Sequence, residues 1–440
     1  MRDILILLIV VVLIPMAAFR PSLGIMGWTV LSIANPHRYA WAASHWPLAA
    51  AVAIATLMGL VLTRDRRDWS VSPPTAVLLA FMLWMCVTLP FSISITDSLP
   101  MWERVMKIDL MILVAMVALT TQRHVMALTW VLVASIGVYG FKGGLYTIAT
   151  GGAGRVWGPP GSFIEGNNEL ALALIVTIPL MRFLQLQTTR RWVRHGLTIL
   201  MLLCTVAALG TQSRGALLAL AAMAAMLFVR GGGRRLWLGV VMAIVGTALI
   251  AFMPATWDQR MATIVDYQRD SSAMGRINAW WMAWNLAKDR FFGGGYSIYD
   301  PATFARYAPN PRDVHAAHSI FFQILGEHGF VGLALFLLLG YMIWRWAGWL
   351  RRNAADDPET RWAADLGSLC QVSLIGFAVG GAFLSLAYFD LPYNLLVLVV
   401  VARRCVRVPL AARAAENRAL AERAPQAARR AYSAMTDQAR

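Results

Sequence analysis

Two histidines three residues apart, His315 and His318, are the side chains in this sequence best suited to acid–base chemistry. They lie in the stretch DVHAAHSIFFQILGEHGFVGLALF, residues 313–336, where a long polar segment meets an apolar one. If this stretch is helical, both histidine rings lie on the same helix face as Phe322 and Leu325, next to an apolar surface. A neutral imidazole in that position can accept a proton from an incoming hydroxyl group.

Two other interpretations of these histidines compete with a general base. A zinc site needs three or four ligands, and HAAH offers two nitrogens with no third ligand at a recognisable spacing, so a metal is disfavoured and no cofactor is predicted. The rings could also be polar groups packed at a helix start. Nearby arginines disfavour the imidazolium form, which favours the general base. His328, which follows Glu327, is interpreted as a cap or turn residue.

Arg214 is the strongest candidate for binding an anion. It lies in GTQSRGALLAL, where Ser213 can cap the N-terminus of a helix, so that backbone amides and a guanidinium converge on one place. The planar fork of arginine suits phosphate because it binds two oxygens at once. The alternative is an arginine at the membrane interface that reaches lipid headgroups.

Two further arginines belong to the same candidate set. Arg276 opens the stretch GRINAWWMAWNLAKDR and could hold a phosphate at the membrane surface, although such helices also carry basic residues simply to meet headgroups. Its apolar stripe is that of a helix lying on the membrane and consists of Ile277, Trp280, Trp281 and Trp284. Arg155 precedes a Gly/Pro turn in GRVWGPPGSFIEGNNELALAL, where an ordinary loop and helix cap is the competing interpretation.

The composition requires a membrane to hold these residues. Of 440 residues, 58% are hydrophobic and 14% are charged, which is too few charges to cover a soluble globule of this size. The formal net charge of +16 is concentrated in short loops and in the tail, where it sets topology rather than nucleic-acid binding. The four cysteines have no CxxC spacing, so neither a disulfide framework nor a cysteine metal site is expected.

The predicted fold is all-α, a polytopic membrane protein with about twelve transmembrane helices. The apolar runs are 3–19, 46–63, 73–91, 107–121, 125–147, 168–186, 195–211, 214–229, 236–253, 329–348, 366–387 and 391–402. They divide the chain into nine helices with short loops (1–253), a large outer loop with amphipathic helices (254–328), C-terminal helices (329–407) and a basic cytoplasmic tail (408–440).

Basic clusters in alternate loops set the predicted orientation. Placing those clusters in the cytoplasm puts both termini inside and leaves Arg155, Arg214 and Arg276 facing outward. This assignment of loops to the two sides of the membrane requires that residues 20–45 do not cross it. Their short apolar run, 22–34, is therefore interpreted as a re-entrant or surface-lying segment.

Four stretches together resemble the O-antigen ligase family, the bacterial inner-membrane enzymes that join undecaprenyl-pyrophosphate-linked polysaccharide to lipid A-core. In chain order they are RVWGPPGSFIEGNNELALALIVTIPL, TQSRGALLAL, GRINAWWMAWNLAKDRFFGGGY and HAAHSIFFQILGEHGFVGLALF. The N-terminal third, including IANPHRYAWAASHWPLA, is similar to a subgroup described as O-glycosylation ligases that accompany exosortase systems. That second likeness leaves the acceptor open.

The resemblance implies an inverting, metal-independent glycosyl transfer on the periplasmic face. The donor's prenyl chain would lie between helices, with its pyrophosphate held by Arg214 and Arg276, and less surely by Arg155. The family's histidine is commonly followed by Asn or Ser, which matches His318 with Ser319 better than it matches His315. His318 is therefore the predicted base, and His315 is the second choice. The expected partners are the lipid-linked glycan donor, the lipid A-core acceptor and membrane lipids, with no nucleic acid.

Three other functions remain open at this point. An O-antigen polymerase uses the same donor with a second lipid-linked glycan as acceptor, and a protein O-oligosaccharyltransferase uses Ser or Thr. A transporter of an anionic solute belongs to a different class, in which outward arginines only line a path. Many transporters show two related halves or broken helices, and neither is evident in the sequence.

Overall fold

The computed structural model describes residues 2–41, 46–63, 67–231 and 271–413, together with a few single positions between 232 and 270. It is 78% helical with no strand in the described part of the chain, so the predicted all-α class is confirmed. The predicted span 236–253, the beginning of the outer loop and the tail beyond residue 413 lie outside the described residues.

Fourteen α-helices are described, named here in chain order. They are α1 (Arg2–Phe19), α2 (Pro21–Ile33), α3 (Leu48–Leu62), α4 (Pro73–Thr88), α5 (Ile95–Ala118), α6 (Gln122–Ala149), α7 (Asn167–Gln187), α8 (Arg191–Gly210), α9 (Arg214–Arg230), α10 (Ser271–Asp289), α11 (Pro301–Tyr307), α12 (Ile320–Asn353), α13 (Arg361–Gly381) and α14 (390–413). Short 3-10 helices, Pro36–Tyr39 and Leu89–Phe91, follow α2 and α4.

Six of the described helices are long and apolar enough to cross a membrane. They are Pro73–Phe91, which includes α4, and α6, α7, α8, α12 and α13, and three shorter apolar helices precede them in the chain. The protein is therefore a multi-pass helical membrane protein. α7 is the most enclosed of the six, with 78% of its most apolar window buried, because α6, α8, α9 and α13 all pack against it.

Hydroxyl side chains define where several helices begin. The hydroxyls of Ser72, Ser94 and Thr121 accept the backbone N–H three residues further on, at the starts of α4, α5 and α6. Each bond satisfies one of the amide groups that a helix leaves unpaired at its N-terminus. Asp300 caps α11 in the same way.

The short run at 22–34 is a buried helix rather than a surface-lying segment. α2 folds back against α1, since a Cβ built on Gly24 would approach Ala17 and one built on Gly27 would approach Leu13. Ile25 is only 1% exposed and α2 also packs on α3 and α6. At 13 residues, α2 is about 20 Å long and too short to cross a bilayer alone. The re-entrant interpretation stays a prediction.

A sharp break divides α12 at Gly329, which has φ 69° and ψ −172°. The break coincides with the predicted boundary at 329, although the helix already begins at Ile320. A break leaves backbone carbonyls without their usual helical partners. Here the carbonyls accept from N–H groups of other segments: Gly326 from Gly294 at 2.9 Å, Glu327 from Gly295 at 3.0 Å and His328 from Trp84 Nε1 at 2.9 Å.

The interpretation of His328 as a cap or turn residue is wrong. Its side chain is fully buried beside the break, and both ring nitrogens have partners. Nδ1 lies 2.8 Å from Thr88 Oγ1 and Nε2 lies 2.9 Å from Tyr388 Oη. The Tyr388 hydroxyl in turn donates to the carboxylate of Glu327. This chain of hydrogen bonds ties α4, α12 and the segment before α14 together.

Gly293 is a position at which this arrangement leaves no room for a side chain. Its φ is 74°, and a Cβ there would lie 2.6 Å from the Glu327 carbonyl oxygen. We expect Gly293→Ala to destabilise the protein by about 1 to 3 kcal/mol, because the left-handed backbone and the collision act together. Thermal unfolding in detergent measures the loss.

The matched control for that substitution is Gly196→Ala, in α8. A Cβ built on Gly196 has nothing within 4 Å, so alanine should be neutral or slightly stabilising in a helix. Equal unfolding temperatures for the two variants would contradict the role assigned to the Gly293 turn.

Candidate active site

His318 lies in the non-helical segment 308–319, which joins α11 to α12. The helical face proposed for HAAH is therefore wrong: His318 has φ 42° and α12 begins only at Ile320. The backbone is fixed on both sides of the histidine. Its N–H donates to Ser385 Oγ at 3.1 Å, and the preceding carbonyl of Ala317 accepts from Trp280 Nε1 at 2.7 Å. A non-glycine residue holds a left-handed conformation at a cost that such contacts must offset.

The imidazole of His318 is positioned to accept a proton. Burial lowers its pKa to about 4, with the charges of Arg276 and His315 acting in the same direction. The ring is therefore neutral at pH 7. Its Nδ1 is buried and has no hydrogen-bond partner in the part of the chain that the structure describes. A neutral ring with an unused nitrogen can bind and deprotonate a hydroxyl that enters the site.

His315 has a different environment from His318. Its Nδ1 lies 2.8 Å from Asp313 Oδ1, and its side chain is 44% exposed. The ring rests against the backbone of α10 at Gly275, where a Cβ would come within 2.7 Å of Nδ1. One nitrogen of His315 is thus already engaged by a carboxylate. His318 is the better placed of the two histidines to act as a base.

Arg276, in the first turns of α10, connects the histidines to α7. Its charge acts on His318 and also on Glu169, in the first turn of α7. The carboxylate of Glu169 folds back over Gly166, where an added Cβ would lie 2.1 Å from Oε2. The charge of Arg276 therefore acts on the histidine segment and on the start of α7 alike.

Arg214 is the first residue of α9, and the predicted cap is confirmed. The Ala216 N–H donates to Ser213 Oγ at 3.3 Å. The preceding turn is tightly buried, with Thr211 at 0% and Gln212 at 7% exposure, and Gln212 has φ 59°. This buried turn holds the N-terminus of α9 in place, and with it the guanidinium of Arg214 at the positive end of the helix dipole, a location that favours an anion.

Arg155 reaches the same turn from the loop between α6 and α7. Its Nε donates to Gln212 Oε1 at 3.3 Å. A second bond from that side comes from Asn167, whose Nδ2 donates to the Thr211 carbonyl at 2.7 Å. Asn167 thus positions the start of α7 against the turn rather than only capping its own helix.

Contacts join these parts around one end of the helical bundle. The first turn of α9 packs on the turn that follows α13, where a Cβ on Gly215 would lie 3.3 Å from Phe383 Cβ. Two residues further on, Ser385 holds His318. The structure brings His318, His315 and Arg276 together directly, and it links Arg214 and Arg155 to them through the 382–386 turn and α7.

Several of these contacts could not be found from sequence spacing. Ser385 lies 67 residues from His318, and Tyr388 lies 61 residues from Glu327. No local motif marks either serine or tyrosine. Trp280 was predicted only as part of an apolar stripe, whereas its ring stacks on Phe322 with the centroids 5.1 Å apart. The exposed members of that stripe are Trp281 and Trp284, at 53% and 40% exposure.

An apolar groove leads away from His318 along α12. It has a volume of about 290 Å³ and lies between α12, α13 and α14. Its lining on α12 includes Ile320, two residues after His318, and residues of the second part of the helix as far as Trp344. Its other walls include Phe321, Phe336, Leu339, Ile343, Phe377, Pro392 and Tyr393. The groove can hold a hydrocarbon chain beside the histidine.

Comparison with known families divides the chain into two parts. Residues 199–337 match the family model described as O-antigen ligase, which includes α9, α10, both histidines and the first half of α12. This chain carries a domain of the O-antigen ligase family. The family is of the ligase or polymerase type of glycosyltransferase.

The remaining comparisons leave the N-terminal half without an assigned function. Residues 1–189 match a family of unknown function (DUF5935). Of the four stretches that resemble O-antigen ligases, the one beginning at Arg155 falls in this second match, and the other three fall in the O-antigen ligase match. No curated protein matches the chain.

The electrostatic contact between Arg276 and His318 can be tested without any substrate. We expect Arg276→Met to raise the pKa of His318 from about 4 toward its ordinary value of 6.5, because a positive charge that opposes protonation is removed. Titration of side-chain-labelled histidine by NMR measures this change. Arg312→Met is the control, since this exposed arginine lies on the same segment and does not act on His318. An unchanged midpoint in Arg276→Met would contradict the contact.

Proposed function

We propose that this chain transfers a polysaccharide from undecaprenyl pyrophosphate to a sugar hydroxyl of lipid A-core, on the periplasmic face of the bacterial inner membrane. Both termini would then lie in the cytoplasm. The observation that carries the proposal is the neutral His318, with its unused Nδ1, held beside Arg276 within the O-antigen ligase match. The acceptor could instead be a second lipid-linked glycan or a Ser/Thr side chain.

The chemical step is an inverting displacement. The acceptor hydroxyl gives its proton to His318 Nδ1 as its oxygen forms a bond to the anomeric carbon. The bond from that carbon to the pyrophosphate oxygen breaks on the opposite face, and the electron pair leaves with undecaprenyl pyrophosphate. Holding both lipid-linked reactants in one membrane plane supplies much of the rate gain through proximity and orientation.

Arginines would stabilise the departing diphosphate in the proposed mechanism. Arg276 stands next to His318, and Arg214 contributes a guanidinium at the N-terminus of α9, where helix amides also favour an anion. Arg155 would support the site from the turn at Gln212. We propose that these charges replace a divalent metal in neutralising the leaving group.

The groove beside α12 can hold a segment of the donor's prenyl chain. Its walls are apolar, and its lining includes Ile320, two residues after His318, so a chain lying in it would bring its pyrophosphate end to the histidine segment. Burial of isoprenoid surface there would favour binding by about 25 cal/mol per Å². The groove supports a lipid-linked donor over a water-soluble one.

The proposed base is tested by His318→Gln in reconstituted vesicles containing an undecaprenyl-pyrophosphate glycan. We expect transfer to fall by about 10²- to 10⁴-fold, the usual contribution of a general base, while donor binding is retained. The control is His195→Gln, an exposed histidine on α8. Turnover like the wild type in His318→Gln would remove the base assignment.

The same vesicles can separate the competing functions. Parallel reactions receive lipid A-core, a second lipid-linked glycan or a Ser/Thr peptide, and the product distinguishes ligase, polymerase and protein glycosylation. A transporter would attach no glycan to any of them. EDTA should leave the rate unchanged, whereas inhibition that a divalent ion reverses would contradict metal independence.

The proposed phosphate site is tested by Arg214→Lys, which retains the charge but replaces a planar fork with a point charge. We expect the transfer rate to drop roughly tenfold or more, the value of one charged hydrogen bond. Arg190→Lys, an exposed residue before α8, is the control. If Arg214→Lys matches that control, the arginine serves topology alone.

A further inference from the structure

A basic cavity lies at the end of the bundle opposite His318. It has a volume of about 630 Å³ and is formed by the chain before α4, the last turns of α12 and the second half of α14. The helix from Gly329 to Arg352 is about 35 Å long, which matches the hydrocarbon thickness of a bilayer. The cavity lining on α12 begins at Met342, about 20 Å along the helix from Gly329, so the cavity lies well away from the candidate active site.

Five arginines line this cavity, and no carboxylate lines it in the described part of the chain. Arg404 is committed to the protein itself: it pairs with Asp68 at 3.2 Å and donates to the Ser70 carbonyl at 2.7 Å. Arg345 donates to Tyr341 Oη at 3.2 Å. Two of the remaining three, Arg352 and Arg407, are exposed and form no ion pair with a described residue.

The third, Arg403, is held by two tryptophans. Its guanidinium lies 4.0 Å from the ring centroid of Trp346 and 4.5 Å from that of Trp349. Such stacking fixes the orientation of the planar guanidinium without using its N–H donors. An arginine fixed in this way can offer its donors to a ligand with little further loss of side-chain entropy.

The chemistry of the lining favours a phosphate attached to a lipid. Guanidinium groups bind phosphate oxygens in pairs, and several unbalanced guanidiniums in one cavity stabilise an anion. The wall also contains Met342 and the two indoles, and indole rings are characteristic of the membrane–water boundary. A soluble anion would leave this apolar surface unused. Basic pockets between spanning helices are known to bind anionic headgroups.

We propose that this cavity binds the headgroup phosphate of an anionic phospholipid. Arg352 and Arg407 bind the phosphate oxygens, Arg403 adds a third fixed fork, and the indoles contact the glycerol and the upper acyl chain. This site is separate from the donor site proposed above. It uses no residue of that site and does not depend on the transfer reaction.

Thermal unfolding of the whole protein in detergent tests the proposal, with phosphatidylglycerol, phosphatidylcholine or inorganic phosphate added. Phosphatidylglycerol should raise the unfolding temperature of the wild type, whereas the other two should not. The double variant Arg352→Gln/Arg407→Gln should lose at least half of that rise. Native mass spectrometry should show fewer retained phosphatidylglycerol molecules on the same variant.

The matched control is Arg190→Gln/Arg191→Gln, which removes the same charge from two exposed arginines at the start of α8. They lie at the same end of the bundle because α7 begins beside the active site and ends before them. An equal phosphatidylglycerol effect in both double variants would overturn the proposal, since general attraction to basic loops would then suffice. An equal rise with inorganic phosphate would overturn it as well, because the cavity would take a free anion.

Discussion

The rest of the site depends on how the backbone is satisfied where α12 breaks. Three carbonyls just before Gly329 receive N–H groups from the Gly293–Gly295 turn and from Trp84. In an apolar environment an unpaired carbonyl is costly, so a break in a membrane helix persists only where other segments supply donors. The same bonds fix the first part of α12, from Ile320 to His328, relative to α4 and α10. His318 immediately precedes that part, so the break also sets the position of the proposed base.

A second constraint is the backbone at His318 itself. A left-handed histidine needs contacts that come from distant parts of the chain, here Ser385 on one side and Trp280 on the other. These contacts tie the histidine to α10, which carries Arg276, and to the turn that packs on α9, which carries Arg214. The geometry of the site is therefore a consequence of tertiary packing rather than of the HAAH motif.

The difference between local signals and long-range contacts explains which features the sequence could predict. The all-helical membrane class and the Ser213 cap follow from local signals, namely hydrophobic runs and a capping serine, and six of the described helices are long enough to span. The number of twelve spans and the candidate site residues stay predictions. The HAAH helix was wrong because His318 adopts a conformation that only long-range contacts stabilise. The prediction for His328 was wrong because its partners, Thr88 and Tyr388, lie 240 and 60 residues away in the sequence. The hydrophobic periodicity of a sequence does not reveal that a polar ring is buried. Only the surface-lying alternative for α2 was wrong, because a tight hairpin with α1, through Gly24 and Gly27, buries a run that is too short to span.

In the proposed mechanism, the low pKa of His318 would make its basicity depend on the charge of the bound donor. A ring with a pKa of about 4 is a weak base toward a sugar hydroxyl; burial is the main cause of that low pKa, and the charge of Arg276 is the second. A bound pyrophosphate would bring negative charge to Arg276 and so favour the imidazolium, which raises the pKa of His318 toward the working pH. The base would then become effective only when the donor is in place. This coupling would limit proton abstraction to complexes that have a leaving group ready to depart.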